Sequence, residues 1–338
     1  MPPILRVRPE RAPVRGIPSG ILPAAPAFVL RMKALTYNEF GGNDRFEITE
    51  REMPHIGPDT LVVRVKAAGL NPVDYKVREG YLQGLLDVQL PAVPGWDVAG
   101  VVEKVGLDTP EFQVGDPVLA YARADVVSGG SVAEYMAVPV RTATRKPEGL
   151  EFTAAAAIPL TGLTALQAIE RSAVGEGSTV LIHGAAGGVG SFGVQLARLR
   201  GARVIGTASE RNHDYLRELG AEPVVYGDGL ADRVREIAPE GVDVVLDFAG
   251  GSSLDSTNDL LREGGVVTSI ADPRAASEFG GNYIWVRPDA TQLAELARLA
   301  ADGSLRVEVA ETFPLDDAAA AYARLEEGHT RGKIVVTV

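Results

Sequence analysis

The sequence contains no cysteine among its 338 residues, and this absence excludes several kinds of chemistry. Disulfide bonds, thiol nucleophiles and thiolate ligands for zinc or iron–sulfur clusters are all ruled out. Because proteins without disulfides occur in every redox compartment, the absence does not locate the protein. It therefore limits the chemistry without indicating a compartment.

The sequence also lacks long apolar runs and has fewer basic than acidic residues. Both features limit the kinds of partner that the protein can bind. No uninterrupted apolar run approaches the roughly 18 residues that a membrane-spanning helix needs. The 33 lysines and arginines stand against 45 acidic residues, for a formal net charge of −12. Such a charge argues against nucleic-acid backbones and anionic membranes. We therefore expect neither a nucleic-acid nor a membrane partner, in a chain long enough for two domains.

Residues 1–31 differ from the rest of the sequence. They carry five arginines and seven prolines but only one acidic residue, Glu10. An Arg-rich start can indicate a transit peptide, but this density of proline is incompatible with the amphipathic helix of such peptides. No apolar core of a signal peptide is present either. We predict a disordered leader, or an extension upstream of a start at Met32, and assign it no function.

The most informative stretch lies near the middle of the chain. Apolar and β-branched residues at Thr179–Ile182 are typical of a buried parallel strand. A run of small residues follows, and an amphipathic helix pattern follows that. The strict G-x-G-x-x-G pattern fails at Ala185, but Gly187 and Gly190 fit it, and a second strand at Arg203–Thr207 completes a βαβ unit. The pattern predicts a turn whose backbone N–H groups bind a dinucleotide pyrophosphate.

The end of the second strand bears on the choice of dinucleotide. NAD is usually held there by an acidic residue on the ribose, whereas this sequence has Ala208 at that point. Ser209 and Arg211 could instead bind a 2′-phosphate through charge-assisted hydrogen bonds. A shift of one residue would place Glu210 on the ribose. We predict NADPH as the cofactor, with NADH as the alternative that Glu210 leaves open.

The remaining pattern predicts an α/β fold with two parts. Short strand candidates separated by Gly and Pro turns run from Met32 to Val138, and the last of them is Gly130–Val138. This pattern is typical of a barrel-like β domain. From Thr179 to about Ile270 strands alternate with helices, as in a doubly wound sheet. The tail adds a helix near Ala290–Ala301 and closing strands at Leu305–Phe313 and Lys333–Val338.

Several motifs in a fixed order resemble the medium-chain dehydrogenase/reductase superfamily, and specifically its zinc-free quinone oxidoreductase and enone reductase branch. The motifs are Met32–Ala34, Gly69–Asp74, Pro94–Gly100, Val114–Asp116, Pro159–Ala165, His183–Gly190 and Gly328–Lys333. The resemblance covers nearly all of residues 32–338. It implies a GroES-like β-barrel-type domain from 32–152 together with 275–338, and a Rossmann NADPH-binding domain at 153–274. The active site would then lie in the cleft between them.

The sequence departs from the zinc alcohol dehydrogenases of this superfamily at the ligand positions. Those enzymes place Cys where Asn71 stands and a His-Glu pair where Trp96 and Asp97 stand. We therefore predict no metal site. Because a zinc-free site lacks the Lewis acid that stabilises an alkoxide, oxidation of simple alcohols is disfavoured. Hydride addition to a quinone or an α,β-unsaturated carbonyl remains, since such acceptors delocalise the arriving charge onto oxygen.

The resemblance also implies catalytic candidates in one segment. Asn71 is a neutral donor, and the matching family residue lies near the nicotinamide. Tyr75 and Tyr81 could donate a hydrogen bond or a proton, although enoyl reductase relatives place their tyrosine one position later, at Leu82. Tyr81 could equally well only line the pocket. Lys76 and Arg78 are interpreted as surface charges, and Asp97 as a structural hydrogen-bond acceptor.

Cofactor contacts are implied along the same motifs. In the family the matching threonines touch the nicotinamide, the glycine turn approaches the pyrophosphate, and a tyrosine lies near the 2′-phosphate. Lys333 reaches the cofactor or is solvated, and His183 is interpreted as a packed residue at a strand end. The predicted cofactor-binding residues are Thr161, Thr164, Gly187, Gly188, Val189, Ser209, Arg211, Tyr226, Ala249 and Lys333.

The sequence thus predicts an NADPH-dependent oxidoreductase that transfers hydride to a quinone or an α,β-unsaturated carbonyl without zinc. Two alternatives stay open: an enoyl-thioester reductase, and a non-catalytic NADPH-binding sensor or structural protein. The predicted partner is a small-molecule substrate. A homodimer is expected from the resemblance, and a cytoplasmic location is the default in the absence of a targeting or membrane segment.

Overall fold

The structure is a computed structural model that describes residues 30–338. Residues Arg31–Val338 form one compact unit. The predicted disordered leader, 1–31, falls outside the described residues except for its last two. Within the described part of the chain, no helix is both long enough and apolar enough to cross a membrane.

Strands and helices alternate along the chain broadly as predicted. The strands are β1 Arg31–Thr36, β2 Glu47–Glu52, β3 Thr60–Gly69, β4 Asp87–Val88, β5 Asp97–Val105, β6 Pro117–Tyr121, β7 Val126–Val127, β8 Tyr135–Pro139, β9 Ala143–Arg145, β10 Thr179–His183, β11 Arg203–Thr207, β12 Glu222–Val224, β13 Val242–Asp247, β14 Leu261–Ser269, β15 Asn282–Tyr283, β16 Val309–Pro314 and β17 Lys333–Thr337. The helices are α1 Pro72–Arg78, α2 Phe152–Ala157, α3 Pro159–Arg171, α4 Gly188–Leu199, α5 His213–Glu218, α6 Leu230–Ile237, α7 Thr257–Leu260, α8 Arg274–Ser277, α9 Ala290–Ala301 and α10 Ala318–Glu326.

Strands β10 to β15 form a six-stranded parallel sheet in the order β12-β11-β10-β13-β14-β15. Alternate side chains of its strands point to opposite faces. On β10, Val180 and Ile182 join the cluster that contains α3, α4 and α9, whereas Leu181 joins the cluster with α6 to α8. Both faces are therefore covered by helices, which explains the near-continuous apolar runs. The predicted doubly wound sheet is confirmed.

A second sheet of seven strands is mostly antiparallel, in the order β16-β17-β3-β5-β6-β9 with β8 also paired to β3. Its strands come from both sides of the parallel sheet in the chain. β17 lies between β16 and β3 and pairs Val336 with Ala68. The late segment therefore completes a sheet that the early segment begins, and the GroES-like character of this part is confirmed by the comparisons below.

Two strands are shorter than predicted. The strand expected at Gly130–Val138 is Tyr135–Pro139, and the one expected at Leu305–Phe313 is Val309–Pro314. Gly130 instead lies against a neighbouring backbone, where an added Cβ would be 2.3 Å from the Pro94 carbonyl oxygen. This close approach needs glycine and leaves the segment as a loop.

The prediction of a surface charge at Arg78 is wrong. Its side chain is 0% exposed and connects three parts of the fold. The guanidinium donates to Glu326 Oε1 on α10 at 2.8 Å, to Glu79 Oε1 at 3.1 Å and to the Gly41 carbonyl at 3.0 Å. It also lies 4.8 Å from the centre of the Phe46 ring. These contacts hold α1 in place at its C-terminal end.

We expect Arg78→Met to lower the free energy of unfolding by about 2–4 kcal/mol, because two carboxylates lose their buried partner. This loss of free energy of unfolding is smaller than the largest losses seen when fully buried ion pairs are broken. The reason is that both carboxylates, Glu79 and Glu326, are partly exposed and can bind water again. Urea denaturation would measure it. Arg203→Met is the matched control, since it breaks a bidentate but exposed pair with Glu222 and should cost at most about 1 kcal/mol. Equal losses would contradict the connecting role of Arg78.

Candidate active site

A cavity of about 540 Å³ lies between α1, the glycine turn before α4 and the segment that leads into β17. Its wall is largely apolar and aromatic. The apolar and aromatic residues on this wall include Val73, Leu82, Trp96, Tyr121, Phe248, Ile284 and Trp285. A cavity with an apolar wall and few polar groups is typical of a site for a small organic ligand.

The glycine turn provides unpaired backbone donors at one side of this cavity. α4 begins at Gly188, and Gly187 at its N-cap makes no side-chain capping bond. The first turn contains no acidic residue, and the first N–H groups of a helix have no partner within it. Gly190 allows the turn to close, because an added Cβ would be 2.2 Å from the Gly184 carbonyl oxygen. The predicted residues Gly187, Gly188 and Val189 all line the cavity.

Two buried side chains, Thr207 and His183, lie against the start of the glycine turn. Thr207 Oγ1 accepts a hydrogen bond from the Gly184 N–H at 3.2 Å and lies 3.5 Å from His183 Nδ1. Burial lowers the pKa of His183 to about 4, with Asp247 opposing the shift, so the imidazole is neutral at physiological pH. His183 does not line the cavity. Its position agrees with the interpretation as a packed strand-end residue.

A buried polar network forms the floor of the cavity. Lys333, which is only 4% exposed, donates from Nζ to the Leu70 carbonyl and to Asn71 Oδ1, both at 2.6 Å. Asn71 donates from Nδ2 to Asp97 Oδ2 at 2.9 Å. Asp97 also accepts from the Leu160 N–H at 2.9 Å, and its Oδ2 lies 3.8 Å from Lys333 Nζ. The alternative of a solvated Lys333 is therefore wrong, while Asp97 is the hydrogen-bond acceptor that the sequence suggested.

Burial shifts the pKa of both ionisable members of this network, Asp97 and Lys333. Desolvation raises the pKa of Asp97 to about 6, against the opposing effect of Lys333 and of the bonds from Asn71 and Leu160. Desolvation lowers the pKa of Lys333, and the nearby carboxylates oppose that shift. The Lys333 ammonium and the Asp97 carboxylate therefore lie close together away from water, where each favours the charged form of the other.

The hydrogen bonds of Asn71 do not fit its expected role as a donor to the substrate. An amide NH₂ has two hydrogens, and those of Asn71 go to Asp97 Oδ2 and, at 3.3 Å, to the Gly69 carbonyl. Neither is left for a substrate oxygen, so Asn71 bridges Asp97 and Lys333 instead. The hydroxyls of Thr161 and Thr164 are likewise used, on the Ala157 and Leu160 carbonyls at 2.8 and 2.6 Å. These two threonines line the cavity as hydrogen-bond acceptors.

The two catalytic tyrosine candidates have different positions. Tyr75 lies on α1, is half-buried and lines the cavity. Desolvation raises its pKa, so its hydroxyl stays protonated. Tyr81 lies in the turn after α1, is 75% exposed and is absent from the cavity wall, which Leu82 reaches instead. The structure therefore brings Tyr75 to the site but not Tyr81.

A second cavity contains the residues expected at the 2′-phosphate. Ser209, Arg211 and Tyr226 line it, whereas Glu210 does not. Arg324 and Arg331 on the same wall are paired with carboxylates of Glu311 and Glu308. Arg211, by contrast, makes no ion pair with any residue from 30 to 338, and its Nη2 donates to the His329 carbonyl at 3.3 Å. The guanidinium of Arg211 is thus available to an anion.

One segment joins the two cavities. Gly328, His329 and Thr330 line both of them. Gly332 donates its N–H to the Ala186 carbonyl at 3.2 Å, which fixes the segment beside the glycine turn. His329 has a positive φ of 58°, an uncommon backbone conformation for a residue with a side chain. A continuous cleft therefore runs from Arg211 past the glycine turn to Lys333, with Ala249 on its wall.

Sequence reasoning missed several residues of the site. Trp96 and Tyr121 pack edge to face with ring centres 6.3 Å apart, and both line the cavity. Trp96 stands within the Pro94–Gly100 motif, and this motif could have indicated its place in the site. Across residues 30–338, no group of three or more His, Asp or Glu side chains is arranged to hold a metal ion.

Comparison with known proteins gives consistent matches. A family model described as an alcohol dehydrogenase GroES-like domain matches residues 57–148, and one described as a zinc-binding dehydrogenase matches residues 219–336. The chain is 35% identical over 314 residues to the NADPH-dependent alkenal/one oxidoreductase, chloroplastic, of Arabidopsis thaliana, covering 90% of this chain and 79% of that protein. It is 31% identical over 324 residues to the chloroplast envelope quinone oxidoreductase homolog of the same plant, covering 90% and 98%.

A solved structure agrees with these matches. The quinone oxidoreductase from Coxiella burnetii superposes on this structure with a TM-score of 0.83 at 34% identity. The superposition covers 91% of this chain and 100% of that one. The similarity therefore extends over both sheets and the cleft.

The buried carboxyl of Asp74 predicts a pH dependence of stability. Its Oδ2 accepts from the Asn71 N–H at 2.9 Å and from the Tyr322 hydroxyl at 3.2 Å. Burial nevertheless raises its pKa to about 7, and Asp97 adds to the shift. Because the folded pKa exceeds the unfolded value of about 3.9, the stabilisation is complete below about pH 4 and is lost as the pH rises to about 7.

We therefore expect Asp74→Asn to remove this loss, since an amide does not ionise. The free energy of unfolding of the variant, relative to the unchanged protein, should rise between about pH 4 and pH 7. Urea denaturation at a series of pH values measures the difference. A difference that stays constant or falls across this range would contradict the ionisation argument.

Proposed function

The chain belongs to the quinone oxidoreductase and enone reductase branch of the medium-chain dehydrogenase/reductase superfamily, and we propose that it transfers hydride from NADPH to a quinone or an α,β-unsaturated carbonyl without zinc. The observation that carries this proposal is the continuous cleft. It has a free guanidinium at one end, unpaired backbone donors in the middle and an apolar chamber with a buried ammonium at the other. An NADPH-dependent reductase needs these groups in this order, for the 2′-phosphate, the pyrophosphate and the reacting end of the cofactor with its acceptor.

The residues of the cleft fit a dinucleotide. The first residues of α4, Gly188 and Val189, can present backbone N–H groups to a pyrophosphate, and Gly187 lines the cavity beside them with its own N–H donated to the Gly184 carbonyl at 3.0 Å. Gly190 permits the tight backbone approach that a side chain would block. Thr161 and Thr164 can accept from a nicotinamide amide, because their oxygens keep free lone pairs. We propose the same cofactor wall for Val189, Ala249 and Lys333. When bound, NADPH supplies the hydride and the protein supplies position and electrostatics.

Three features of the second cavity support NADPH over NADH. Arg211 pairs with no carboxylate among residues 30–338, since Glu308 and Glu327 on the same wall pair with Arg331 and Arg324. Ser209 and Tyr226 add hydroxyl groups to this wall. Glu210, the residue that would favour NADH, is exposed and outside the cavity wall. A 2′-phosphate carries the charge that this arrangement complements.

The acceptor side supports a planar, apolar, electrophilic substrate. Trp96, Tyr121, Phe248 and Trp285 provide flat apolar surfaces that exclude water. We propose that no zinc is needed, since Asn71 and Asp97 at the zinc-ligand positions of related enzymes are already hydrogen-bonded to each other and to the chain. Tyr75 stays our candidate for a further contact to the substrate.

Three other expectations stay proposals. The predicted division into 32–152 with 275–338, and 153–274, would put the cleft between two domains. A homodimer is supported by the edge strand β15, which pairs only with β14 and leaves Tyr283 48% exposed. A cytoplasmic location stays a prediction that fractionation of cells can test.

The function is tested by the decrease of reduced-nicotinamide absorbance. NADPH and NADH would each be combined with a simple quinone and with a simple enone, and we expect turnover with NADPH well above NADH. No turnover with any acceptor, despite tight NADPH binding, would instead support a non-catalytic NADPH-binding protein. Preference for NADH would contradict the assignment of Arg211.

The Arg211 assignment gives a sharper prediction. Arg211→Gln should raise the KM for NADPH about 10- to 100-fold, since a charge-assisted hydrogen bond contributes about 1.5–3 kcal/mol. The KM for NADH should change little. Arg217→Gln is the control, because Arg217 pairs with Asp214 at 2.7 Å on the exposed face of α5 and lines neither cavity. Equal effects of Arg211→Gln on both cofactors would contradict the phosphate contact.

A further inference from the structure

Reduction of an enone or a quinone needs a proton as well as a hydride, and the cleft holds one buried cation at its floor. Lys333 lines the cavity, and its ammonium has three hydrogens. Two are donated at 2.6 Å to the Leu70 carbonyl and to Asn71 Oδ1. The third has no acceptor within hydrogen-bond distance in the described part of the chain, since Asp97 Oδ2 lies 3.8 Å away.

Some of the competing donors on the cavity wall are used within the fold, and the others lack a buried positive charge. The Trp285 indole N–H and the Thr330 hydroxyl have no partner among residues 30–338 but are neutral, and the Lys76 ammonium is exposed. Both amide hydrogens of Asn71 are donated within the fold, and so are the hydroxyl hydrogens of Thr161 and Thr164. Tyr75 and Tyr121 line the cavity, but burial raises both of their pKa values, so each gives up a proton reluctantly. Lys333 differs because it combines a spare hydrogen with a positive charge in a site of low polarity, where that charge acts strongly.

We propose that the Lys333 ammonium is the catalytic acid of the acceptor site, binding the carbonyl oxygen of the acceptor and giving it a proton. The inference rests on the proposed function. The hydride that NADPH would supply, leaving NADP⁺, would form a C–H bond at the β-carbon. The alkene π electrons would then form the C=C bond of the enol, and the carbonyl π electrons would move to the oxygen. An N–H bond of Lys333 breaks as the O–H bond of the enol forms, and the enol then tautomerises to the ketone. Water in the opened cleft returns a proton to the amine after the product leaves.

Asp97 is a positioning residue in this scheme. Its carboxylate accepts from Asn71 Nδ2, which turns Asn71 Oδ1 toward Lys333, and its negative charge favours the protonated amine. The other ionisable groups around Lys333 are Asp74 on α1, whose charge acts in the same direction, and Tyr322 on α10, which donates to Asp74. Removing the charge of Asp97 therefore makes the amine lose its proton at lower pH.

The test compares two acceptors that differ in the basicity of the oxygen they develop. A simple enone produces a strongly basic enolate, whereas a nitroalkene produces a weakly basic nitronate that needs no acid. At saturating NADPH we expect Lys333→Met to slow single-turnover reduction of the enone about 10²-fold, within the usual range for general acid catalysis. Reduction of the nitroalkene should slow less than about 10-fold. Tyr75→Phe is the matched control, and it should affect the two acceptors alike.

Two measurements separate this role from a structural one. The dissociation constant for NADPH, from nicotinamide fluorescence, and thermal unfolding report cofactor binding and folding directly. If Lys333→Met folds poorly because Asp97 is left unpaired, the double variant with Asp97→Asn removes both charges, and it should show the same dependence on the acceptor. Asp97→Asn alone should move the alkaline fall of kcat for the enone to lower pH.

Specific outcomes overturn the proposal. Equal losses on both acceptors, or a selective loss of enone reduction in Tyr75→Phe rather than in Lys333→Met, would exclude Lys333 as the acid. A pH profile of Asp97→Asn that does not move would exclude Asp97 as the residue that positions it. An unchanged protein that reduces neither acceptor contradicts the proposed function itself, and this inference fails with it.

Discussion

The attraction between a buried ammonium and a buried carboxylate determines much of this molecule. Taking either charge out of water alone would cost several kcal/mol. Lys333 on β17 and Asp97 on β5 tolerate burial because Asn71 connects them, the Leu70 carbonyl accepts a second hydrogen of Lys333 and the Leu160 N–H donates to Asp97. The same contacts tie β17, β5 and the start of α1 to one point. The hydrogen bonds that keep Lys333 and Asp97 together therefore also hold the floor of the cleft in one arrangement.

The glycine turn imposes a second constraint, which is steric. Gly190 lies against the backbone of Gly184, and Gly188 lies beside the side chains of Lys333 and Thr161, where a Cβ would be 3.2 Å from each. The turn and the segment before β17 therefore share one narrow space. The backbone of the glycine turn and the buried ammonium of Lys333 lie close together because Gly188 has no side chain between them.

Local patterns could be predicted from the sequence, and long-range partners could not. The βαβ unit around Gly187 and the helix Ala290–Ala301 follow from apolar periodicity and glycine, which act over a few residues. Arg78 was misjudged, because charged residues, Lys76 and Glu79, stand close to it in the sequence and its partner Glu326 lies 248 residues away. Tyr81 was misplaced for a smaller reason, since the turn at Gly80 directs Leu82 rather than Tyr81 into the cavity.

The position of β17 between β16 and β3 has a consequence for how the chain is made. Residues 67–69 of β3 have β17 as their neighbour on one side, yet Leu70 and Lys333 are 263 residues apart. At ordinary rates of synthesis that separation corresponds to a delay on the order of tens of seconds. During this interval the six-stranded sheet can fold as a unit, while β3 presents an unsatisfied edge to other nascent chains. Newly made protein is thus most open to aggregation, and to chaperones, just before the strand that carries the buried ammonium arrives.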